Sequence, residues 1–357
     1  MTRLGYLDAL RGIAALLVVV CHLWQPLLGP GALPHFWLDI GKLGVIWFFL
    51  LSGVVIPFSL QPGPGGARRF IVSRVLRLYP AYWLSLALYI SMLALTGEAL
   101  PTWQRVVANV TMLQAAMGVE DVMGLYWTLF IEWLFYALCL GLMLIGRLRS
   151  TRFRAACALA LLAAAVGMGM MRMLLERKLP VALPLGLSLM LFGSIWRDCL
   201  LGQADAQVRR CVKGLLLAYA VALPPTFYAA YGFDAGNGEY WFRYCFTYLL
   251  AISSFMLLTQ RIRLHQPLLL WLGTISYSLY LLHPSMELLC RYLLGVPGRS
   301  LSVTLLATTL SLLAAHVSYR LVELPFIQLS KRLNTRARPR APLIPELQVP
   351  YENSNRP

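Results

Sequence analysis

Charge is what this chain of 357 residues is short of: Asp, Glu, Lys and Arg make up only 13% of it, against about 25% in an ordinary soluble domain. Acidic residues are the scarcest, 15 against 31 Lys and Arg, while 59% of the chain is hydrophobic. So little polar surface excludes a soluble globular protein and a disordered one alike. It also excludes a soluble nucleic-acid binder, which the net charge of +16 taken alone would suggest, so no nucleic-acid partner is expected. Cysteine pattern is missing too. Cys21, Cys139, Cys157, Cys199, Cys211, Cys245 and Cys290 are scattered through apolar stretches without a C-x-x-C pair, which excludes a disulfide scaffold and reads as small apolar residues in helices. The five His show neither H-x-x-x-H nor H-E-x-x-H, so no metal site is expected. Regular apolar–polar alternation is absent, which excludes a transmembrane β-barrel.

What is present is long apolar runs. A membrane span needs about 20 mainly apolar residues, and ten stretches meet that need: roughly 11–28, 41–60, 80–97, 124–146, 155–174, 181–197, 214–231, 240–259, 268–286 and 301–322. The first is too long for a cleaved signal peptide and carries His22 at its middle. With the N-terminus inside, about 23 of the Lys and Arg fall on the inner side and about 8 on the outer, a strong positive-inside bias. The expectation is an all-α polytopic membrane protein of about ten spans, both ends cytoplasmic, with one membrane domain over 1–330. Residues 331–357, basic and Pro-rich, read as a disordered tail able to touch anionic lipid headgroups. Within the larger outer loop at 98–123, TWQRVVANVTMLQAAM is expected to form an interfacial helix.

Ionisable groups inside spans are costly and point to function. His22 stands 11 residues after Arg11, about 16 Å further along a helix, so Arg11, Ala15, Val18 and His22 share a stripe that Asp8 extends downward. Glu132 lies about 12 Å below the outer start of its span, which places it near the depth of His22. Ser276, Tyr280 and His283 form a second stripe nearer the outer face. Each of these groups also suits a plain interhelical hydrogen bond. Asp8 and Arg11, spaced i,i+3 at the inner edge, suit helix-end pairing as well as function. In the inner loop PGPGGARRFIVSRVLRLYP, Arg68, Arg69, Arg74 and Arg77 follow one another with no acidic residue between them. They serve orientation, and Arg74 and Arg77, one helical turn apart, also have the geometry to grip a polyphosphate.

These residues sit in segments that resemble the acyltransferase-3 family of integral-membrane acyltransferases. The segments run in the family's order: LDALRGIAALLVVVCH (7–22), WFFLLSGVVIPFS (47–59), RFIVSRVLRLYPAYW (69–83), YWTLFIEWLFYAL (126–138), LGTISYSLYLLHP (272–284) and VELPF (322–326). The family's first-helix Arg and His fall on Arg11 and His22, and its R-x-x-R on Arg74 and Arg77. Its W-x-x-x-x-E-x-x-x-Y falls on Trp127, Glu132 and Tyr136, and its S-Y-x-x-Y-x-x-H on Ser276, Tyr277, Tyr280 and His283. Val54 stands where the family usually has an aromatic residue, and the outer hydrolase-like domain that some members append is not in this sequence. The acceptor is therefore expected to be handled by the membrane domain itself or passed to another protein.

The resemblance implies O-acylation of cell-surface, lipid-linked or exopolysaccharide sugars in a bacterial cytoplasmic membrane, with acetyl-CoA as the donor. Arg74 and Arg77, helped by Arg68 or Arg69, would hold the donor's phosphates, and the thioester would reach up towards His22. His22 would act as general base or carry the acyl group transiently; both routes stay open. Glu132 would fix the His22 tautomer or steady its cation, Tyr280 and His283 would line the acceptor side, and Arg11 with Asp8 would support the inner mouth. A transporter or flippase moving a saccharide without acyl chemistry is the competing class. Transporter halves commonly repeat, and no internal repeat stands out here. Oligomeric state is open; a dimer is allowed, but no Gly-x-x-x-Gly seam specifies one.

Overall fold

The computed structural model describes residues 4–29, 36–232, 239–296 and 298–336. Among them there are twelve α-helices and no strand: α1 (Gly5–Val19), α2 (Ile40–Val55), α3 (Gly66–Thr96), α4 (Trp103–Val110), α5 (Trp127–Leu144), α6 (Thr151–Leu175), α7 (Ala182–Leu200), α8 (Ala206–Tyr231), α9 (Trp241–Leu257), α10 (Pro267–Leu294), α11 (Leu301–Ser318) and α12 (Leu324–Arg336). Among the described residues nine helical runs are long and apolar enough to cross a membrane. The remaining expected span is α10, whose Ser, Thr, Tyr and His residues make it less apolar. Its 28 residues still extend about 42 Å, more than the hydrocarbon core of about 30 Å.

Local sequence sets the helix ends. Asp39 caps α2 by accepting from the Lys42 N–H at 2.8 Å, and Asp205 caps α8 by accepting from Val208 at 2.7 Å. Proline opens α10 and Gly295, in the left-handed region at φ 60°, closes it. Apolar side chains left on the outside, such as Leu174, Leu217, Val221 and Leu313, cover the lipid-facing surface.

α1 packs most extensively against α10, and α2 joins that core to α7 and the α6–α8 group. Glycine makes both approaches close. A Cβ on Gly12 would stand 2.7 Å from the Gly273 nitrogen and the Leu269 carbonyl, and one on Gly273 would stand 2.1 Å from the Asp8 carbonyl. At the α2–α7 seam a Cβ on Gly53 would sit 1.9 Å from the Met190 carbonyl and one on Gly193 2.3 Å from that of Leu50. Inside the second half, Arg154, 3% exposed, pairs with Asp198 at 3.1 Å and donates to the Ser194 carbonyl at 2.7 Å.

Three features differ from the sequence expectation. α3 begins at Gly66, not near residue 80, so the arginines from Arg68 to Arg77 are helical and Pro80 lies inside the helix. α4 does form in the outer connection, but α3 holds it from mid-length rather than from its end. Tyr82, Trp83 and Tyr79 donate to the carbonyls of Asn109, Val110 and Thr111 at 2.6, 3.0 and 2.7 Å. These bonds satisfy the end of a short helix that dips between spans. Finally, the last helix continues to Arg336, so the start of the expected tail is ordered; residues 337–357 lie outside the described residues.

Replacing Gly12 with Val should push α1 off α10 at a cost of about 1–3 kcal/mol. The check is thermal unfolding of the detergent-solubilised protein, which should shift downward relative to a Gly→Val change at exposed Gly141.

Candidate active site

His22 and His283 meet where α1 and α10 pack. Their rings lie nearly parallel, with centroids 5.1 Å apart and an interplanar angle of 25°, and His22 Nδ1 lies 3.1 Å from His283 Nε2. His22 is not on a regular helix: α1 widens into a π-helical turn, Val20–Trp24, just where it stands. α11 supports this turn, since Thr304 Oγ1 donates to the Leu23 carbonyl at 3.1 Å and the Trp24 indole donates to Thr308 Oγ1 at 3.0 Å. Such turns recur at functional sites because they re-aim a side chain and free a carbonyl.

Hydrogen-bond chemistry fixes the proton positions. His283 is fully buried, and its Nδ1 lies 3.1 Å from the Leu279 carbonyl. A carbonyl only accepts, so His283 Nδ1 carries the proton and, in the neutral ring, Nε2 is the acceptor. His22 Nδ1–H must then be the donor between the rings. The lone pair of His22 is left on Nε2, where a base needs it.

Below the pair, towards the inner side, lies a cavity of about 640 Å³. Its upper wall is Phe48 and Tyr280, whose rings meet edge to face at 5.9 Å; the Tyr280 ring in turn contacts His283, centroids 6.4 Å apart. The Tyr280 and Thr128 hydroxyls are 2.9 Å apart and both reach the Leu125 carbonyl, at 3.2 and 2.9 Å. Apolar Val45, Phe48 and Phe49 line the upper part; the polar lining includes four cations, Arg11, Arg74, Arg77 and Lys331, against two carboxylates, Asp8 and Glu132. Asp8 and Arg11 pair at 3.2 Å. Arg74 donates to Ser59 Oγ at 2.7 Å and lies over the rings of Phe70 and Tyr136. Neither Arg74 nor Arg77 makes an ion pair with a carboxylate among the described residues.

The structure separates two residues that the sequence places side by side. Glu132 is not the ring partner of His22. It lines the cavity with the arginines and accepts from the Tyr136 hydroxyl at 2.6 Å. The depth argument failed because α5 starts below the dipping α4 connection instead of at the outer surface, so counting residues from its start overestimates its height. His283, expected on the acceptor side, stands against His22. Tyr277 donates to the Leu78 carbonyl at 2.9 Å and Ser276 to that of Gly273 at 2.9 Å, and both line the cavity. Trp127 packs on Phe49, with ring centroids 6.3 Å apart, and does not line it. Arg69 donates to the Pro64 carbonyl at 3.1 Å, while Arg68 is exposed and does not line this cavity.

Sequence reasoning missed Glu323. It is 1% exposed on a second π-helical turn, Tyr319–Glu323. Its Oε1 accepts from Ser278 at 2.6 Å, Ser318 lies 2.8 Å from Ser278, and Oε2 has no hydrogen-bond partner. The signal was present in VELPF, whose acid lies at a span end where a charge reads as ordinary.

These features, a polytopic helical bundle with a cation-rich cavity below a pair of imidazoles, define a membrane protein with a candidate ligand site among its helices. The chain is a member of the acyltransferase-3 family: the family's acyltransferase-domain model matches residues 4–320. No curated protein and no solved structure matches it.

In protein labelled with ¹⁵N-histidine, His22 should show a protonated Nδ1 and an unprotonated Nε2, and His283→Phe should release that preference. A protonated His22 Nε2 in the unsubstituted protein would contradict the assigned hydrogen-bond chain.

Proposed function

We propose that this membrane acyltransferase moves an acetyl group from acetyl-CoA, bound from the cytoplasmic side, to a hydroxyl of a cell-surface, lipid-linked or exopolysaccharide sugar. The observation that carries the reading is the cavity: at one end two arginines without a carboxylate partner among the described residues, and at the other a wall backed by an imidazole whose acceptor nitrogen is set by its neighbour. A thioester donor tailed with phosphates has the matching polarity, with anionic groups at the inner mouth and a slender arm reaching upward. The donor, the sugar acceptor and the bacterial cytoplasmic membrane come from the family resemblance.

An alcohol near neutral pH needs a base within hydrogen-bond reach. In the proposed step His22 Nε2 takes the hydroxyl proton as the alcohol oxygen attacks the thioester carbonyl. The C–S bond then breaks, the ester forms, and the CoA thiolate leaves with the proton from the imidazolium. His283 holds His22 in the reactive tautomer and so acts as a positioning residue. Because the cavity stops at Phe48 and Tyr280, reaction requires these rings to turn aside for the acyl group. Glu132 with Tyr136 orders the arginine floor in place of the imidazole. Transient acylation of His22 is the other route; it splits the same bonds into two steps.

His22→Ala should lower acetate ester on the polysaccharide by about 10²–10⁴-fold, and retained acetylation would remove His22 from the chemistry. Arg77→Ala should raise the acetyl-CoA concentration needed for half-maximal rate by about tenfold or more, as loss of a charge-assisted bond does. An unchanged donor dependence would leave the arginine with an orienting role only.

A further inference from the structure

The last helix carries a feature that the proposed reaction, as stated, does not use. α12 is stapled to the start of α3, with Asn334 Nδ2 donating to the Arg69 carbonyl at 3.4 Å. Leu324, Ile327, Lys331 and Asn334 all line the inner part of the main cavity. Their spacings of three, four and three residues put them on one face of the helix. Along that face the chemistry changes from aliphatic to polar and cationic. The run from Leu301 to Asn334 has 34 residues, about 51 Å of helix against a hydrocarbon core of about 30 Å. Its polar last turn therefore extends to the aqueous inner side, as does the arginine-bearing start of α3.

Between these two helix ends lies a second cavity of about 430 Å³. It joins the first through Ser73, Arg74, Lys331 and Asn334, which line both. Its other polar lining includes Ser59, Gln61 and Arg69, with no carboxylate among the described residues. Arg74 thus stands at a junction, with Arg77 on the side of the main cavity and Arg69 on the side of the small one.

We propose that the small cavity is the subsite for a 3′-phosphorylated nucleoside diphosphate, the tail of a coenzyme-A thioester, and that Lys331 of α12 binds its ribose 3′-phosphate opposite Arg69. The diphosphate lies at the Arg74–Arg77 junction and the arm rises past Ile327 and Leu324. The proposal rests on the acyl-CoA reading of the main cavity and adds to it a separate recognition element, supplied by the end of the chain. A phosphomonoester beside a diphosphate needs cations in two places, and the two joined cavities provide them. Gln61, Ser59 and Asn334 supply neutral hydrogen-bonding groups for the nucleoside.

The test is equilibrium binding of CoA and of dephospho-CoA, which lacks only the 3′-phosphate, to the purified full-length protein in detergent. Unsubstituted protein should bind CoA more tightly than dephospho-CoA. Lys331→Ala should weaken CoA by about tenfold and leave dephospho-CoA unchanged, and Lys331→Arg should restore the preference. Thermal unfolding of each variant, measured alongside, separates loss of binding from loss of fold. Unsubstituted protein that binds both equally overturns the subsite, and a preference that survives Lys331→Ala overturns the role of α12 while the acyl-CoA reading stands. Binding of neither nucleotide overturns that reading and the subsite together.

Discussion

Everything at the centre of this protein depends on one contact between helices, the hydrogen bond from His22 to His283. It exists because α1 and α10 approach until their backbones nearly touch. Gly12 and Gly273 permit that approach, and a π-helical turn supported by α11 aims the His22 ring across the gap. A polar side chain in lipid without a partner is costly; two imidazoles with the Leu279 carbonyl form a closed chain in which every proton has a place. That closure leaves a single basic nitrogen, and its position follows from bonds that are structural in themselves.

The second constraint is electrostatic. The cations of the chain mostly set orientation, and most of those in the interior are neutralised locally: Arg154 by Asp198 and Arg11 by Asp8. Arg74 differs in having the rings of Phe70 and Tyr136 and the Ser59 hydroxyl around it, and neither it nor Arg77 bonds a carboxylate among the described residues. A cavity lined by four cations against two carboxylates favours an anionic ligand over a neutral solute. The family membership favours acyl transfer over saccharide transport.

Much of this was legible in the sequence, and the reasons for the rest are physical. Hydropathy and the distribution of Lys and Arg gave the spans because lipid imposes that pattern directly. The important polar residues could be picked out because charge inside a span is expensive, which is how His22, Glu132, His283 and the arginines came forward one by one. Their pairing could not be read, since it depends on depth, and depth was distorted by the α4 connection that lowers the start of α5. The π-helical turns at His22 and Glu323 have no sequence signature, so the stripe drawn from Arg11 to His22 assumed a regular helix where the register changes. Lys331 and Asn334 were assigned to the tail because their surroundings in sequence are basic and Pro-rich; only packing on α3 shows that the helix continues through them.

The central claim is that the basic cavity and the imidazole pair form one acyl-transferring site. The most direct measurement is release of the CoA thiol from acetyl-labelled acetyl-CoA by the purified protein in detergent, with water or an added sugar as acceptor. The account predicts slow thiol release in water, faster release with a suitable sugar alcohol, and label recovered as acetate or as ester. Intact acetyl-CoA after prolonged incubation with folded protein and a range of sugar acceptors would contradict it.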